Sequence, residues 1–193
     1  KAEVRRLARD AGFPNYAKKD STGICFIGER RFREFLSGYL PANPGPIETP
    51  DGRLLGTHQG LMYYTLGQRK GLGVGGRTDA EEAPWFAAAK DLERNALIVV
   101  QGHDHPLLFH RGLEAGQLHW VTGRAPWERP FRCEARIRHR QPPQPCSIIE
   151  LGQERCRVRF QQPQRAIAPG QSIVFYRDDD CLGGGVIEQH LNI

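Results

Sequence analysis

Methionine is nearly missing from this sequence, paired cysteine motifs are missing, and long apolar runs are missing. Met62 is the sole methionine among 193 residues and residue 1 is a lysine, so we expect a piece of a longer translation product. The longest strongly apolar stretch is Leu97-Ile98-Val99-Val100, far short of the ~20 residues that a membrane helix needs. The basic, amphipathic segment from Lys1 to Gly12 lacks the apolar centre of a signal peptide. Cys25, Cys133, Cys146, Cys156 and Cys181 are odd in number and include no C-x-x-C pair. That argues against a zinc ribbon or a disulfide framework and for reduced thiols in a cytoplasmic protein with no membrane attachment. Charge is not lopsided either. Lysine and arginine total 27 against 22 acidic residues, which permits a polyanionic partner without requiring one.

What is present is mainly β with a few helices. Val4, Leu7, Ala8 and Ala11 follow helical spacing, with Gly12 placed to end the helix. A second amphipathic helix is predicted over Glu29–Ser37, burying Phe32, Phe35 and Leu36. From Pro41 onward proline and glycine divide the chain, and Pro50-Asp51-Gly52 signals a hairpin turn. The predicted strands are Trp85–Ala89, Ala96–Gln101, Phe131–Arg140, Cys146–Leu151, Arg155–Phe160, Ser172–Tyr176 and Gly185–Ile187. Short strands with regular turns suggest a small antiparallel barrel or sandwich, set off by a boundary near residues 102–110.

Strand alternation assigns side chains to faces. Cys156, Val158 and Phe160 share one face, and Arg155, Arg157 and Arg159 share the other. Arg132, Arg136, Arg138 and Arg140 likewise fall together, opposite Phe131, Cys133, Ala135 and Ile137. The four cysteines after Cys25 therefore read as core residues. The arginines read either as a stripe for RNA phosphates or as a solvated, charge-protected face. Gly71-Leu72-Gly73-Val74-Gly75-Gly76 spells G-x-G-x-x-G, but no apolar strand precedes it and no apolar helix follows, which excludes a dinucleotide loop. A loop approaching RNA beside Gln68, Arg69 and Lys70 and a plain turn both remain open. His103, His105 and His110 sit in or near a turn and make a weak metal set, so no metal is expected. Cys25 lies between Ile24 and Phe26, after Lys18-Lys19 and before Gly28-Glu29. Those neighbours allow a small buried hydrophobe, which residue statistics favour, or a thiolate beside cations and a helix start.

The segment Lys18-Lys19-Asp20-Ser21-Thr22-Gly23-Ile24-Cys25-Phe26-Ile27-Gly28-Glu29-Arg30 resembles the tRNA 2-thiouridylases. The resemblance continues through His58-Gln59-Gly60-Leu61-Met62-Tyr63-Tyr64-Thr65-Leu66-Gly67-Gln68-Arg69-Lys70-Gly71-Leu72-Gly73. It runs on to Gln117-Leu118-His119-Trp120-Val121, Pro169-Gly170-Gln171-Ser172 and Cys181-Leu182-Gly183-Gly184-Gly185. It implies that residues 1–28 are the tail of an ATP-pyrophosphatase domain carrying Cys25. Residues 29–105 would form a small α+β central domain. Residues 106–193 would form an antiparallel β-barrel like the second domain of translation GTPases.

The implied activity is a sulfurtransferase, an enzyme that moves persulfide sulfur from Cys25 to C2 of the wobble uridine of tRNA. The implied tRNA contacts are Arg138, His139 and Gln171, with lesser roles for Gln68, Arg69, Lys70, Arg136 and Arg140. His139 stands where an aromatic hydroxyl residue is the family expectation. Its strand parity differs from that of Arg138, so both reach RNA only if the strand ends or twists there. The resemblance further implies ATP with Mg2+, held by family residues absent from this sequence, an upstream persulfide relay protein as partner, and a monomeric enzyme. An RNA-binding module without catalysis is the alternative.

Overall fold

The computed structural model describes residues 2–17, 39, 42–74, 83–126, 130–139 and 141–193. Cys25, Arg140 and the predicted helix over residues 29–37 lie outside the described residues. The chain forms two compact units, Lys1–Pro41 and Ala42–Ile193.

In the first unit helix α1 covers Ala2–Asp10. Arg6 pairs with Glu3 one turn earlier and with Asp10 one turn later, which supports an exposed helix by a few tenths of a kcal/mol per pair. Gly12 takes φ 74°, and the amide of Phe13 donates to the Ala8 carbonyl, so the helix ends where the sequence places its glycine.

The second unit opens with a four-stranded sheet of order β2-β1-β4-β3. Strands β1 (Gly45–Glu48) and β2 (Leu54–His58) form the hairpin signalled by Pro50-Asp51-Gly52. Strand β4 (Ala96–Gln101) lies parallel to β1 and antiparallel to β3 (Trp85–Asp91). One face buries Ile47, Leu55, Leu72, Val74, Ala87, Leu97 and Val99. The other packs Phe86, Ala88 and Val100 on Leu108. His58 is fully buried here. Its Nδ1 accepts from the Gly60 amide, so Nε2 is the nitrogen that donates to the Asn95 carbonyl.

The remaining strands close into an antiparallel barrel of order β10-β5-β8-β7-β6-β9. They are β5 (Phe109–Trp120), β6 (Phe131–Arg136), β7 (Gln144–Leu151), β8 (Cys156–Arg165), β9 (Ser172–Arg177) and β10 (Asp180–Leu191). Alternate positions point inward, and Leu113, Ala115, Phe131, Ile148, Val158, Phe160, Ile173, Phe175 and Ile187 fill the interior. Each large side chain among them contributes about 1.5–3 kcal/mol by leaving water. Closure removes the unpaired edges that an open sheet would expose.

Three expectations change. Strand β5 pairs with both β10 and β8 yet carries no strong alternation, because Gly112 and Gly116 interrupt its pattern. Strand β10 is far longer than Gly185–Ile187. Its Gly183-Gly184-Gly185 run brings its backbone against β5 and β9, and a Cβ at Gly183 would collide with the His119 carbonyl. The strand predicted over Phe131–Arg140 ends at Arg136. The amide of Gln141 donates to the Arg138 carbonyl, and the Ile137 amide donates to the Gln141 side chain, closing a bend. Pro142 and Pro143 follow, and proline cannot donate to a ladder.

Candidate nucleic-acid interface

The bend at the end of β6 meets the loop Thr65–Lys70 and the loop between β8 and β9. A bed of Leu66, Ala166 and Ala168, all nearly buried, underlies the meeting point. Gly67, at φ 79°, donates its amide to the Ala87 carbonyl, and the Ala87 amide donates to the Gln68 carbonyl, so the loop is sewn to β3. A Cβ on Gly67 would press on Ala166 and crowd the guanidinium of Arg138. Over this bed lies an open depression of about 350 Å3, lined by Thr65–Gln68, Ile137–His139, Ala166, Ala168 and Gln171. A second depression of about 390 Å3 adjoins it, sharing Thr65, Leu66, Ala168 and Gln171 and adding Met62, Lys90 and His190.

Arg138, His139 and Gln171, separated in sequence by up to the two strands β7 and β8, thus line one depression, with all three side chains exposed. The strand parity that separated Arg138 from His139 ceases to matter, because the ladder stops at Arg136. Nη2 of Arg138 donates to the carbonyls of Leu66 and Ala166, at 3.4 and 3.2 Å. Its Nε and Nη1 have no partner among the described residues, so the guanidinium can tie the two loops together and still offer donors to a phosphate oxygen.

The lesser predicted contacts divide. Arg69 and Lys70 are exposed. Gln68 is used by its own loop, accepting from the Thr65 amide and donating to the Lys70 carbonyl. Arg136 is half-buried with its guanidinium over the ring of Tyr176, 4.9 Å from the centroid.

Of the outward arginines at the start of β8, Arg159 is exposed without an ion pair among the described residues, whereas Arg157 and Arg155, the residue just before the strand, are paired. Arg157 pairs with Glu114 and Glu150, its cross-strand neighbours on β5 and β7, and Arg155 pairs with Glu188 on β10. These acids hold both guanidiniums in the charged state while cancelling their field. Arg165 is a residue the sequence reading passed over. Its guanidinium stacks on Phe86 at 4.6 Å, and burial and the positive charge of Arg138 lower its affinity for a proton. Its position at the end of β8, next to the buried Ala166, is the signal that could have found it.

The cysteines also separate. Cys146 and Cys156 are buried and Cys133 is half-buried, as core positions. Cys181 is exposed, contrary to the core reading, because it is the second residue of β10, just after the turn at Asp178-Asp179, at the exposed start of the strand. The three histidines do not converge. His103 contacts Asp104, His105 accepts from the Leu107 amide, and His110 stacks against His190 with ring centroids 3.7 Å apart. Among the described residues no group of three metal-ligating side chains forms, and no helix is long and apolar enough to cross a membrane.

A closed β-barrel and a small mixed sheet, meeting at an open depression where the Arg138 guanidinium keeps free donors, define a two-part β module. Three family models match in chain order: a tRNA methyl transferase HUP domain over residues 1–29, a tRNA methyl transferase PRC-barrel domain over 33–101, and an aminomethyltransferase beta-barrel domain over 110–187. The chain is 61% identical over 193 residues to the tRNA-specific 2-thiouridylase MnmA of Methylococcus capsulatus, covering 100% of this chain and 52% of that protein. It is 58% identical over 191 residues to its namesake in Vibrio cholerae, covering 99% and 51%. The relative from Alcanivorax borkumensis is 59% identical over 189 residues, with 98% and 52% covered. The chain belongs to this tRNA-specific 2-thiouridylase family and spans about half the length of the curated relatives it matches.

Proposed function

We propose that this chain supplies the persulfide-carrying cysteine and a tRNA-contacting surface to a tRNA-specific 2-thiouridylase acting at C2 of the wobble uridine, U34. Relatives bearing that name align with this chain over nearly all of its length, and that is the observation that carries the reading. The meeting of Arg138, His139 and Gln171 around one depression supports the tRNA-contacting part of it. Residues 1–28, 29–105 and 106–193 are, in this reading, the tail of the ATP-pyrophosphatase domain, the central domain and the tRNA-binding barrel. The enzyme is a cytoplasmic monomer.

Cys25, charged by an upstream persulfide relay protein, holds the sulfur. In one route the terminal sulfur attacks C2 as the activated oxygen leaves, and a second cysteine then breaks the S–S bond by forming a disulfide with Cys25. In the other, that cysteine forms the disulfide first and frees hydrosulfide, which attacks C2 and expels the activated oxygen. ATP with Mg2+ supplies the activation of the C2 oxygen in the intact enzyme. Residues of this chain do not fit that group, since the sequence holds no Ser-Gly-Gly-x-Asp-Ser loop and Gly71 is preceded by turns instead of a strand. The share of this chain is to hold sulfur at Cys25 and to seat tRNA phosphates at Arg138 and its neighbours. Taken alone, the 193 residues should neither bind ATP nor thiolate tRNA.

The test is Cys25→Ser in the full-length gene, as the cell's sole copy, with mass spectrometry of tRNA nucleosides. A hydroxyl cannot carry a persulfide, so 2-thiouridine should vanish while the purified variant still binds tRNA. Normal 2-thiouridine would remove Cys25 from the reaction and leave only an RNA-binding module.

A further inference from the structure

Cys133 and Cys146 face each other across the β6–β7 hairpin as direct register partners. Directly opposed residues of an antiparallel pair project from the same face, with Cα atoms about 4.5–5.5 Å apart. That spacing lies inside the range that a disulfide spans without moving backbone. The two Sγ atoms are 3.7 Å apart, and rotation about the side-chain bonds brings them to bonding distance. Neither remaining cysteine of the barrel is so placed: Cys156 lies opposite Ala115 and Leu151, and Cys181 opposite Tyr176.

We propose that Cys133 and Cys146 are a dithiol site that hydroperoxides oxidise to a reversible disulfide within the barrel wall. The proposal is independent of the tRNA reading, since it rests on the hairpin alone.

The two thiols are unequal. Cys133 is half-buried and Cys146 is buried, so peroxide reaches Cys133 first. The two thiols share a hydrogen bond in which Cys146 donates once Cys133 is ionised, and Arg177 lies near. Both favour a thiolate at Cys133 against the opposing effects of burial and Glu134. Sharing its proton with Cys133, together with burial, pushes Cys146 up. Low thiol pKa and access select the residue that oxidises first.

The chemistry balances in two steps. The Cys133 thiolate attacks a peroxide oxygen; an S–O bond forms, the O–O bond breaks, and the departing hydroxide takes a proton to become water. Cys146 sulfur then attacks the sulfenic sulfur of Cys133. The S–S bond forms, the S–O bond breaks, and hydroxide leaves with the thiol proton of Cys146 as a second water. Two thiols and one hydrogen peroxide give one disulfide and two waters, the sulfurs losing the two electrons that peroxide gains. An added dithiol reverses the change. The bond would staple the hairpin that carries Arg136, Arg138 and His139.

The test treats the reduced 193-residue chain with hydrogen peroxide, blocks remaining thiols with N-ethylmaleimide, digests with trypsin, and reads the peptides by mass spectrometry. Arg136 and Arg138 lie between the two cysteines, so cleavage separates them unless sulfur joins them. The expected product is one peptide pair linked through Cys133 and Cys146, returning to two blocked thiols after dithiothreitol. Cys146→Ser should instead leave Cys133 as a sulfenic acid trapped by dimedone. Oxidation of exposed Cys181 with Cys133 and Cys146 both left reduced would overturn the proposal. So would Cys133 passing to sulfinic acid while Cys146 stays free, or Cys133 joining another cysteine. The linked peptide is sought in the unaltered chain, so a variant that fails to fold does not protect the proposal.

Discussion

Replacing Arg138 by alanine separates the two roles that the structure gives its guanidinium. The first is as a tie. Two hydrogen bonds, at 3.2 and 3.4 Å, reach from Nη2 to the carbonyls of Ala166 and Leu66. A net contribution of about 0.5–1.5 kcal/mol per bond is usual, and bonds this long from an exposed side chain belong at the low end. The loss should be about 1 kcal/mol, which lowers the melting midpoint by about 2–4 °C for a domain of this size. The second role is as a phosphate contact. Losing one neutralised phosphate should reduce the slope of log K against log salt by about 0.7–0.9.

The assay is tRNA binding to the 193-residue chain followed by fluorescence anisotropy between about 50 and 200 mM salt, with melting followed in parallel. Arg138→Lys retains the charge but loses the forked reach, so it should lower the midpoint while keeping the slope. Arg157→Ala removes a guanidinium already neutralised by Glu114 and Glu150 and should leave the slope unreduced. If Arg138→Ala melts lower with its slope intact, the guanidinium is a tie alone and the depression is not the interface. If Arg157→Ala flattens the slope instead, RNA contacts the outer face of β8, and the acids do not silence it.

Acidification should destabilise the barrel between about pH 6.5 and 4. Burial, and then the neighbouring His190, hold the folded-state value of His110 at about 4, below its ordinary 6.5. The unfolded chain therefore binds the proton first, so the stabilisation is complete above pH 6.5 and is lost as pH falls. After discounting for solvent screening it is about 1–2 kcal/mol, and urea melts of His110→Gln should show a flatter pH profile than the parent. Phe175→Ala removes a fully buried ring stacked on Trp120 with centroids 5.6 Å apart. It should cost about 3–5 kcal/mol by chemical denaturation. In timed alkylation at neutral pH, exposed Cys181 should react well before Cys146 and before Cys156, whose thiol burial pushes up to about 12. Equal rates would mean that the barrel wall opens freely.

Much of the fold is legible because the barrel interior imposes a period of two. Cys156, Val158 and Phe160 turn inward and Arg155, Arg157 and Arg159 outward, as their alternation requires. The turn at Pro50-Asp51-Gly52 and the helix end at Gly12 are legible because each rests on one residue with a definite backbone preference. Strand β5 is not, because its place depends on two partners distant in sequence, and Gly112 and Gly116 weaken its local pattern. The length of β10 is hidden for a related reason. Three successive glycines read as a loop until β5 and β9 are seen to need their lack of side chains.

The arginines show where alternation stops being informative. Parity assigns a side chain to a face but says nothing of its neighbours, which depend on strand order and register. Arg157 meets Glu114 and Glu150 only because β8 lies between β5 and β7 in that register, so part of a stripe that reads as cationic in sequence is taken up in ion pairs between strands. Arg138 escapes that fate by lying past the end of the β6 ladder, where its partners are two backbone carbonyls that do not cancel its charge. On a small closed barrel, then, the arginines best placed to meet a polyanion are those at bends and strand ends. The paired ones within the ladder mainly hold neighbouring strands in register. That distinction places Arg138 apart from Arg155 and Arg157, although simple counting would weigh all three alike.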